Sequence, residues 1–337
     1  MSARSSIRAD RAARLLAVAV AAAACGKSDP DASDQKAPPV VHIAISVDWE
    51  GAFLLPASLD ALEAFRKDNP GVPLTHMLNA AYYTKPGASA ADVTREIRRA
   101  MRDGDETGLH VHGWKSLVAA AGVKPPDGPS FLSPSTGLVA FQDDIGFDLD
   151  LGTFSVAELR AVMKKSREIL EAQKLTIGPS FRAGGWIATP GVLEAARAEG
   201  FTIDSSAIDP AWLDEKEVAA LQRRLGDVWR KIDQTTQPFW IDTPAGKILE
   251  MPDSGAAADY LSVVEIQQHV ERAATAVVAA GKPGFVHIVL HAETADEFAP
   301  RLGQALSVLR ARSTPMVFET LSRSAEVARR ALEAQGR

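Results

Sequence analysis

From residue 40 onward the sequence predicts an α/β protein with one barrel of parallel strands, complete or distorted. Short apolar runs alternate with stretches whose apolar residues recur at helical spacing, and strands that alternate with helices pair in parallel. About eight such units follow one another over about 300 residues, which favours one barrel over two domains. Active sites of such barrels lie at the carboxyl ends of the strands.

The apolar runs and the amphipathic stretches define the elements in chain order. The predicted strands are 40–47, 72–78, 107–112, 179–183, 201–206, 247–251, 284–291 and 315–320. The predicted helices are 57–68, 89–103, 155–173, 190–199, 262–280, 295–312 and 320–335. Two helices have clear start signals, because Pro190 follows Thr189 at a first helical position and Ser155 with Glu158 forms a capping box.

One segment interrupts this alternation. Residues 113–153 contain KPPDGPSFLSPSTG and FQDDIGFDLDLG without a helical period, and they are long for a connection within a compact domain. Long irregular loops are commonly functional. We therefore predict an insertion that overhangs the active site, the alternative being a loop with a structural role alone.

The N-terminus predicts export. Four arginines, at positions 4, 8, 11 and 14, precede the apolar segment 15–24, which is too short to span a bilayer. The segment ends at Cys25, and this position resembles the lipid-attachment site of bacterial lipoproteins, with a plain cleaved signal as the alternative. Residues 26–39 are polar and contain prolines, as expected for a tether. The folded domain is therefore expected to cover 40–337.

Composition excludes several classes of protein. The chain has 337 residues, of which 46% are hydrophobic and 24% charged, as in ordinary globular proteins. Its net charge of -6 and scattered basic residues give no footprint for nucleic acid. Cys25 is the single cysteine, so no internal disulfide is expected. Contact with a membrane is expected only through a lipid anchor, and no protein partner is predicted.

Polar groups cluster where three predicted strands end. Side chains alternate between the faces of a strand, so Asp48 and Glu50 point to the same side, with Trp49 opposed. The same parity places His110 and His112 on one face, and His291 ends a third strand. Carboxylates are rarely buried without partners, so these five groups together predict a functional site.

The chemistry of these groups favours a metal. A His-x-His pair on a strand directs two imidazoles at one cation, and a carboxylate from a neighbouring strand completes a three-ligand site with an open position. The second carboxylate is then available as a base. Arg182 lies in an apolar strand and needs an anion, most simply Asp48.

Three tryptophans flank the clusters. Trp49, Trp114 and Trp186 each stand beside one of the polar motifs, and an indole stacks well on the apolar face of a sugar. The alternative is that they are core residues. Gly184 and Gly185 either let the backbone approach a ligand closely or form a tight turn.

The ordered set SVDWEG, GLHVHGW, FRAGGW, FTIDSS and IVLHAET resembles the five motifs of the polysaccharide deacetylase (NodB-homology) family. The resemblance covers about residues 40–320 and implies a distorted (β/α) barrel of seven or eight strands. It implies that Asp48 is the catalytic base, Arg182 its orienting partner and His291 the general acid. Glu50, His110 and His112 correspond to metal ligands and Asp204 to a supporting residue.

The reaction implied by the resemblance is the metal-dependent removal of N- or O-acetyl groups from an envelope or extracellular polysaccharide, with zinc as the first choice of metal. Two departures from the family pattern are visible. Trp49 separates two carboxylates that are usually adjacent, and Trp114 stands where the second histidine is usual, so His112 is either the ligand or a neighbour of the ligands.

Two other functions remain open at this stage. One is a catalytically silent lipoprotein that binds glycans, and the other is a glycosidase that uses Asp48 and Glu50 as its acid and base. Amide hydrolysis on a substrate other than a sugar is a further, less favoured alternative.

Overall fold

A curled, mostly parallel sheet forms the centre of the computed structural model, which describes residues 40–336 except 142, 214, 255, 256 and 314. Its strands are β1 (Val41–Asp48), β2 (Thr75–Leu78), β3 (Glu106–Val111), β6 (Ser180–Ala183), β7 (Ile203–Asp204), β8 (Phe239–Thr243), β9 (Gly246–Glu250), β10 (Gly284–His291) and β11 (Met316–Glu319). A separate hairpin consists of β4 (Ala140–Phe141) and β5 (Asp144–Ile145).

The order across the sheet is β10-β1-β2-β3-β6-β7-β9-β8, and β11 also pairs with β1. All neighbours are parallel except β8 and β9, which form an antiparallel hairpin. β10 pairs with the whole of β1, whereas β11 and β2 share the other edge of β1. Because β8 and β10 end the order, the barrel is open, and the predicted distorted α/β barrel is confirmed.

Nine helices, counted over the described residues, cover the sheet. They are α1 (Pro56–Asp68), α2 (Ala90–Ala100), α3 (Lys115–Ala120), α4 (Val156–Ala172), α5 (Pro190–Ala198), α6 (Glu215–Val228), α7 (Val263–Ala280), α8 (Ala295–Arg310) and α9 (Leu321–Glu333). The capping box of Ser155 and Glu158 begins α4, and Pro190 is the first residue of α5. α1 and α7 both pack against α8, and α4 packs against α5.

Every predicted strand and helix has a counterpart in the structure, with boundaries that differ by a few residues. The hairpin partner β8 was not predicted, because its side chains are half-buried and it lies at the edge of the sheet. α3 and α6 were also not predicted. α3 is only six residues long, and its first residue follows a tryptophan that offers no side-chain cap.

The core fills both sides of the sheet, with apolar residues of β1, β3, β6 and β10 almost completely buried. The described residues form one compact unit. Among them, no helix has the length and apolar character needed to cross a membrane. The predicted signal segment, the attachment residue Cys25 and the tether 26–39 lie outside the described residues.

Candidate active site

Strand register brings the predicted polar groups to one edge of the sheet. In the β1–β10 pair, Asp48 lies directly opposite His291, and in the β3–β6 pair His110 lies opposite Arg182. Because parallel strands end on the same side, these side chains converge with Glu50, which follows β1. Ligand atoms of Glu50, His110 and His112 lie within 4.8 Å of one another, and so do those of Asp48, Glu50 and His291.

Arg182 holds Asp48 inside the barrel. The guanidinium is completely buried and donates to Oδ1 of Asp48 at 2.6 Å and to the hydroxyl of Ser46 at 2.9 Å. Its Nε donates to the carbonyl oxygen of Ser205 at 2.6 Å. A buried arginine with this many partners fixes the direction of the carboxylate it contacts. Asp48 therefore presents its remaining oxygen from a fixed position.

Each histidine of the His-x-His pair is oriented by a backbone carbonyl. Nδ1 of His110 lies 3.1 Å from the carbonyl oxygen of Arg182, and Nδ1 of His112 lies 2.6 Å from that of Phe147. A carbonyl oxygen only accepts, so both Nδ1 atoms carry the proton and both Nε2 atoms present a lone pair. Both Nε2 atoms face Glu50: that of His110 lies 3.3 Å from Oε1, and that of His112 lies 2.5 Å from Oε2.

Glu50 is ionised in this setting. Burial raises the pKa of its carboxyl group, but when His112 and His110 are protonated, their charges outweigh burial and hold the pKa well below its ordinary value. Trp114 and Asn79 donate to the carbonyl oxygen of Glu50 at 2.8 and 3.1 Å. The backbone that carries this carboxylate is therefore fixed from two sides.

The donor set fits a divalent cation. Nε2 of His112 is buried and has no hydrogen-bond partner, although it lies beside Glu50. Two imidazole lone pairs and a carboxylate repel one another unless a cation lies between them, and a His₂Glu set is typical of zinc. The cluster of Asp48, Glu50 and His291 is less suited, because Arg182 already pairs with Asp48 and Asp259 with His291.

His291 has its own carboxylate partner, which the sequence did not predict. Nδ1 of His291 lies 3.0 Å from Oδ2 of Asp259, and Nε2 lies 3.5 Å from Oε1 of Glu50. Burial alone would lower the pKa of the imidazole. The charges of Asp259 and then Glu50 have the larger effect and raise the pKa to about 10. The ring is therefore protonated in this setting and oriented from one side by Asp259.

Gly184 allows the backbone to approach His112 closely. A Cβ atom at this position would lie 2.6 Å from Nδ1 of His112 and 2.7 Å from the carbonyl oxygen of Val111. The next two residues turn the chain through left-handed conformations, with φ of 60° at Gly185 and 57° at Trp186. Such a φ is rare for a tryptophan, and backbone strain of this kind is concentrated at functional sites.

Two of the three tryptophans predicted to stack on substrate do not do so. Trp49 and Trp114 are both completely buried, so neither offers a face to a ligand. Nε1 of Trp49 donates to Nδ1 of His76 at 3.2 Å, and Trp114 supports Glu50 as described. The prediction is wrong because both indoles turn into the core, where their N–H groups find partners.

Trp186 does line the cavity at the site. Its ring meets that of His291 edge to face, with centroids 5.7 Å apart, and its Nε1 donates to Oδ2 of Asp253 at 3.1 Å. Burial raises the pKa of Asp253 to about 7. This aspartate was not predicted, because it follows β9 in a loop whose path the sequence does not reveal.

Asp204 lies below the site rather than in it. It is completely buried, accepts from the hydroxyl of Ser206 at 2.9 Å and faces Glu250 in the register of β7 and β9. Burial raises the pKa of both carboxyl groups, and that of Glu250 lies well above its ordinary value because Asp204 adds a like charge. The supporting role of Asp204 stays a prediction.

Glu293 is a further group that the sequence did not reveal. Its carboxylate accepts from the backbone N–H groups of Glu50 and Ala52, both at 3.2 Å, and from the hydroxyl of Tyr82. Burial, with the charge of Glu50, raises its pKa to about 7. Glu293 thus binds the backbone of the loop that carries Glu50.

A cavity of about 330 Å³ opens in front of Glu50, His112 and His291. Part of its wall comes from the predicted insertion 113–153, which supplies Phe131, Leu132, Phe141 and Phe147. The side chains of Ser130 and Asp148 hydrogen-bond to each other at the base of this insertion. The cavity is the place where a substrate would meet the charged groups.

Comparison with known proteins shows the fold. No family model and no curated protein matches the chain. A crystal structure described as a candidate polysaccharide deacetylase from Mycobacterium smegmatis superposes with a TM-score of 0.54 at 13% identity, covering 90% of this chain and 94% of the other. At this level of identity the two proteins share a fold, so the chain has the polysaccharide deacetylase fold.

Two further crystal structures superpose with TM-scores of 0.49. One is described as a candidate polysaccharide deacetylase from Pseudomonas aeruginosa PAO1, at 15% identity over 86% of this chain and 90% of the other. The other is PuuE allantoinase, at 14% identity over 86% of this chain and 89% of the other.

Proposed function

We propose that this chain is a divergent polysaccharide deacetylase, a metal-dependent hydrolase that removes acetyl groups from an envelope or extracellular polysaccharide. The observation that supports it is the convergence of two oriented histidines and an ionised carboxylate beside an arginine-held aspartate, at the carboxyl ends of parallel strands. A three-ligand cation site with a separate base is what acyl hydrolysis requires.

Glu50, His110 and His112 are the residues that would hold the cation. The chemistry that a bound divalent metal, first of all zinc, would supply is polarisation of the acyl carbonyl and stabilisation of the negative charge on its oxygen. His112 is included because its Nε2 is directed at Glu50 and has no other partner. The His-x-His spacing therefore serves where a longer spacing is usual in the family.

Asp48 is proposed as the base. Arg182 occupies Oδ1 of Asp48, so the other oxygen is available to take a proton from the attacking water. Ser46 and the carbonyl oxygen of Ser205 hold the guanidinium in place, which keeps the aspartate directed at the cavity. Arg182 acts through Asp48 and is a positioning residue.

His291 is proposed to protonate the leaving nitrogen or oxygen. It lies opposite Asp48 in the register of β1 and β10, so the base and the acid flank the same point. Asp259 contacts Nδ1, which directs Nε2 of the ring toward the cavity. Trp186 stands against the ring on this side and would face the sugar that leaves.

The glycosidase alternative is disfavoured by the environments of its two carboxylates. A glycosidase needs one carboxylic acid with a raised pKa to protonate the leaving oxygen. The histidines lower the pKa of Glu50, and Asp48 is ion-paired with Arg182. Neither residue is placed to be that acid.

We further propose that the protein is exported and acts at the cell envelope. This proposal depends on the N-terminal arginines, the apolar segment 15–24 and the position of Cys25. Two measurements test the lipid anchor: processing that globomycin blocks, and labelling with a radioactive fatty acid. Both compare the native chain with Cys25→Ser. A Cys25→Ser chain that is labelled equally would contradict it.

Metal content and acetate release from acetylated glycans test the central proposal. We expect one equivalent of divalent metal per chain, and acetate release that Asp48→Asn abolishes without loss of metal. Bound glycan with no acetate release, in both the native chain and the variant, would identify the silent binding protein instead. Release of new reducing ends would identify a glycosidase.

A further inference from the structure

One wall of the cavity is apolar and lies beside His112. Phe147 stacks on the ring of His112, with centroids 4.4 Å apart and planes 12° from parallel. Phe131 lies 6.4 Å from the same ring, and Phe141 lies 5.4 Å from Phe147. We call the five residues on this side the phenylalanine wall: Phe53, Phe131, Leu132, Phe141 and Phe147.

A second part of the lining is aromatic but carries polar groups. Trp186 and Tyr260 stand beside His291, with 5.7 Å between the Trp186 and His291 rings and 6.5 Å between the Trp186 and Tyr260 rings. An indole or a phenol offers a flat face together with a hydrogen-bonding group, which suits a sugar ring. The two walls are therefore chemically different.

The polar side chains of the lining have partners already. Asp259 contacts His291 and accepts from the hydroxyl of Thr294 at 2.6 Å. Glu293 accepts from two backbone N–H groups, and Glu50 with His112 forms the cation site. Among the described residues, the phenylalanine wall adds no hydrogen-bonding side chain that could recognise hydroxyl groups.

The proposed reaction fixes which part of the substrate meets which wall. The leaving group faces the acid His291, so it lies toward Trp186 and Tyr260. The acyl group lies on the other side of the carbonyl carbon, toward His112 and the phenylalanine wall. An acetyl group would cover only a small part of that wall.

We propose that the acyl group removed by this enzyme is larger than acetyl, an apolar chain of about four to eight carbons that occupies the phenylalanine wall. This inference rests on the proposed function and changes only the acyl group of its substrate. The cavity of about 330 Å³ is shared between the two walls, so the sugar would occupy the part beside Trp186 and the acyl group the part beside the phenylalanine wall. Each methylene buried against the wall contributes about 0.8 kcal/mol, which is about a 4-fold gain in kcat/KM.

A series of N-acylglucosamines with acetyl, butyryl, hexanoyl and octanoyl chains tests the inference, because the leaving group is constant. The purified zinc-loaded protein is assayed for glucosamine release, and p-nitrophenyl esters of the same acids provide a second series. We expect kcat/KM to rise from acetyl to hexanoyl by about 4-fold per methylene. Asp48→Asn supplies the uncatalysed background.

Substitutions in the phenylalanine wall test the location of the chain. Leu132→Trp should fill the cavity and shift the preferred chain toward acetyl, whereas Phe141→Ala should enlarge it and favour octanoyl over hexanoyl. Val264→Trp introduces the same side chain at a position that is 57% exposed on α7 and should leave the profile unchanged. Near-UV circular dichroism and thermal unfolding confirm that each variant is folded.

The outcomes separate this inference from the proposed function. Turnover of the acetyl substrate that equals or exceeds that of every longer chain overturns the inference and leaves a deacetylase. Absence of acyl release from both series by the zinc-loaded protein overturns the proposed function, and the inference with it. A rising profile that Leu132→Trp shifts and Val264→Trp does not shift supports both.

Discussion

Nε2 of His112 lies 2.5 Å from Oε2 of Glu50, while Nδ1 of the same ring is bonded to the carbonyl oxygen of Phe147. Because the proton is on Nδ1, the ring presents its lone pair to an anion. For a neutral ring this contact is repulsive, and it becomes favourable when a metal ion or a second proton lies between the two atoms. The shorter His-x-His spacing therefore still directs two imidazoles at one carboxylate, Glu50.

The first prediction concerns the ligands. His110→Ala and His112→Ala should each reduce bound zinc from about one equivalent to less than a tenth at micromolar zinc, because three ligands become two. Inductively coupled plasma mass spectrometry of the dialysed protein measures this. His42→Ala is the control, because His42 pairs with Glu319 near the start of β1, at the end of the strand away from Asp48. This variant should keep the metal. If His112→Ala retained its full zinc content, His112 would be a neighbour of the ligands and not a ligand itself.

The second prediction concerns the buried ion pair. Arg182→Met should destabilise the fold by about 3–5 kcal/mol, because Asp48 is left buried and unpaired. Arg182→Met combined with Asp48→Asn should cost clearly less than the sum of the single changes. Urea unfolding measures both. Arg230→Met, on a side chain that is 75% exposed, is the control and should be neutral. Additive single and double changes would show that the pair is not coupled.

The third prediction separates the acid from the base through the leaving group. His291→Asn should lower turnover of N-acetylglucosamine by about 10²–10⁴-fold, because an amine leaves only when it is protonated. Turnover of p-nitrophenyl acetate should fall far less, since p-nitrophenolate leaves without a proton. Asp48→Asn should reduce both.

Asp259→Asn belongs to the same test. It removes the carboxylate that directs His291, so it should follow the pattern of His291→Asn with a smaller effect. Asp296→Asn makes the same aspartate-to-asparagine change at the start of α8 and is the control. If His291→Asn lost equal activity on both substrates, His291 would not be the general acid.

The sequence predicted those parts of the site that lie on strands. Asp48, His110, Arg182 and His291 occupy registered positions of parallel strands, and a period of two with a common carboxyl edge is enough to bring them together. Glu50 follows immediately and keeps the same side. The fold was predictable for the same reason, because buried strands and amphipathic helices leave a clear pattern in the chain.

The groups that were not predicted lie in loops. Asp253 and Asp259 follow β9 at distances that no periodicity fixes, and their partners come from other parts of the chain. Glu293 follows β10 by two residues but lies in a short 3₁₀ helix, where the alternation of a strand no longer applies. Phe131 and Phe147 lie in the long insertion, where spacing says nothing about direction. For Trp49 and Trp114 the sequence leaves substrate contact and core packing both open, because proximity in sequence does not distinguish a buried indole from an exposed one.

The last prediction concerns pH and the pair of Asp204 and Glu250. The two carboxyl groups face each other in the β7–β9 register, and Oε1 of Glu250 accepts from the backbone N–H of Ala207 at 2.9 Å. Burial and the like charge of Asp204 raise the pKa of Glu250 well above its ordinary value. The folded protein therefore keeps a proton on this pair that the unfolded chain has already lost.

Because the native state binds more protons at this pair, the contribution of the pair to the free energy of unfolding falls as the pH rises above about 4.5, by up to about 1.4 kcal/mol per pH unit, until the native pair ionises. Glu250→Gln supplies the same acceptor to Ala207 and a permanent N–H donor toward Asp204, so it does not need that proton. We expect the variant to gain stability relative to the native chain as the pH rises from 5 to 8, measured by urea unfolding at each pH. Glu333→Gln, at an exposed position near the end of α9, should run parallel to the native chain. A Glu250→Gln curve that also runs parallel would show that the pair holds no shared proton.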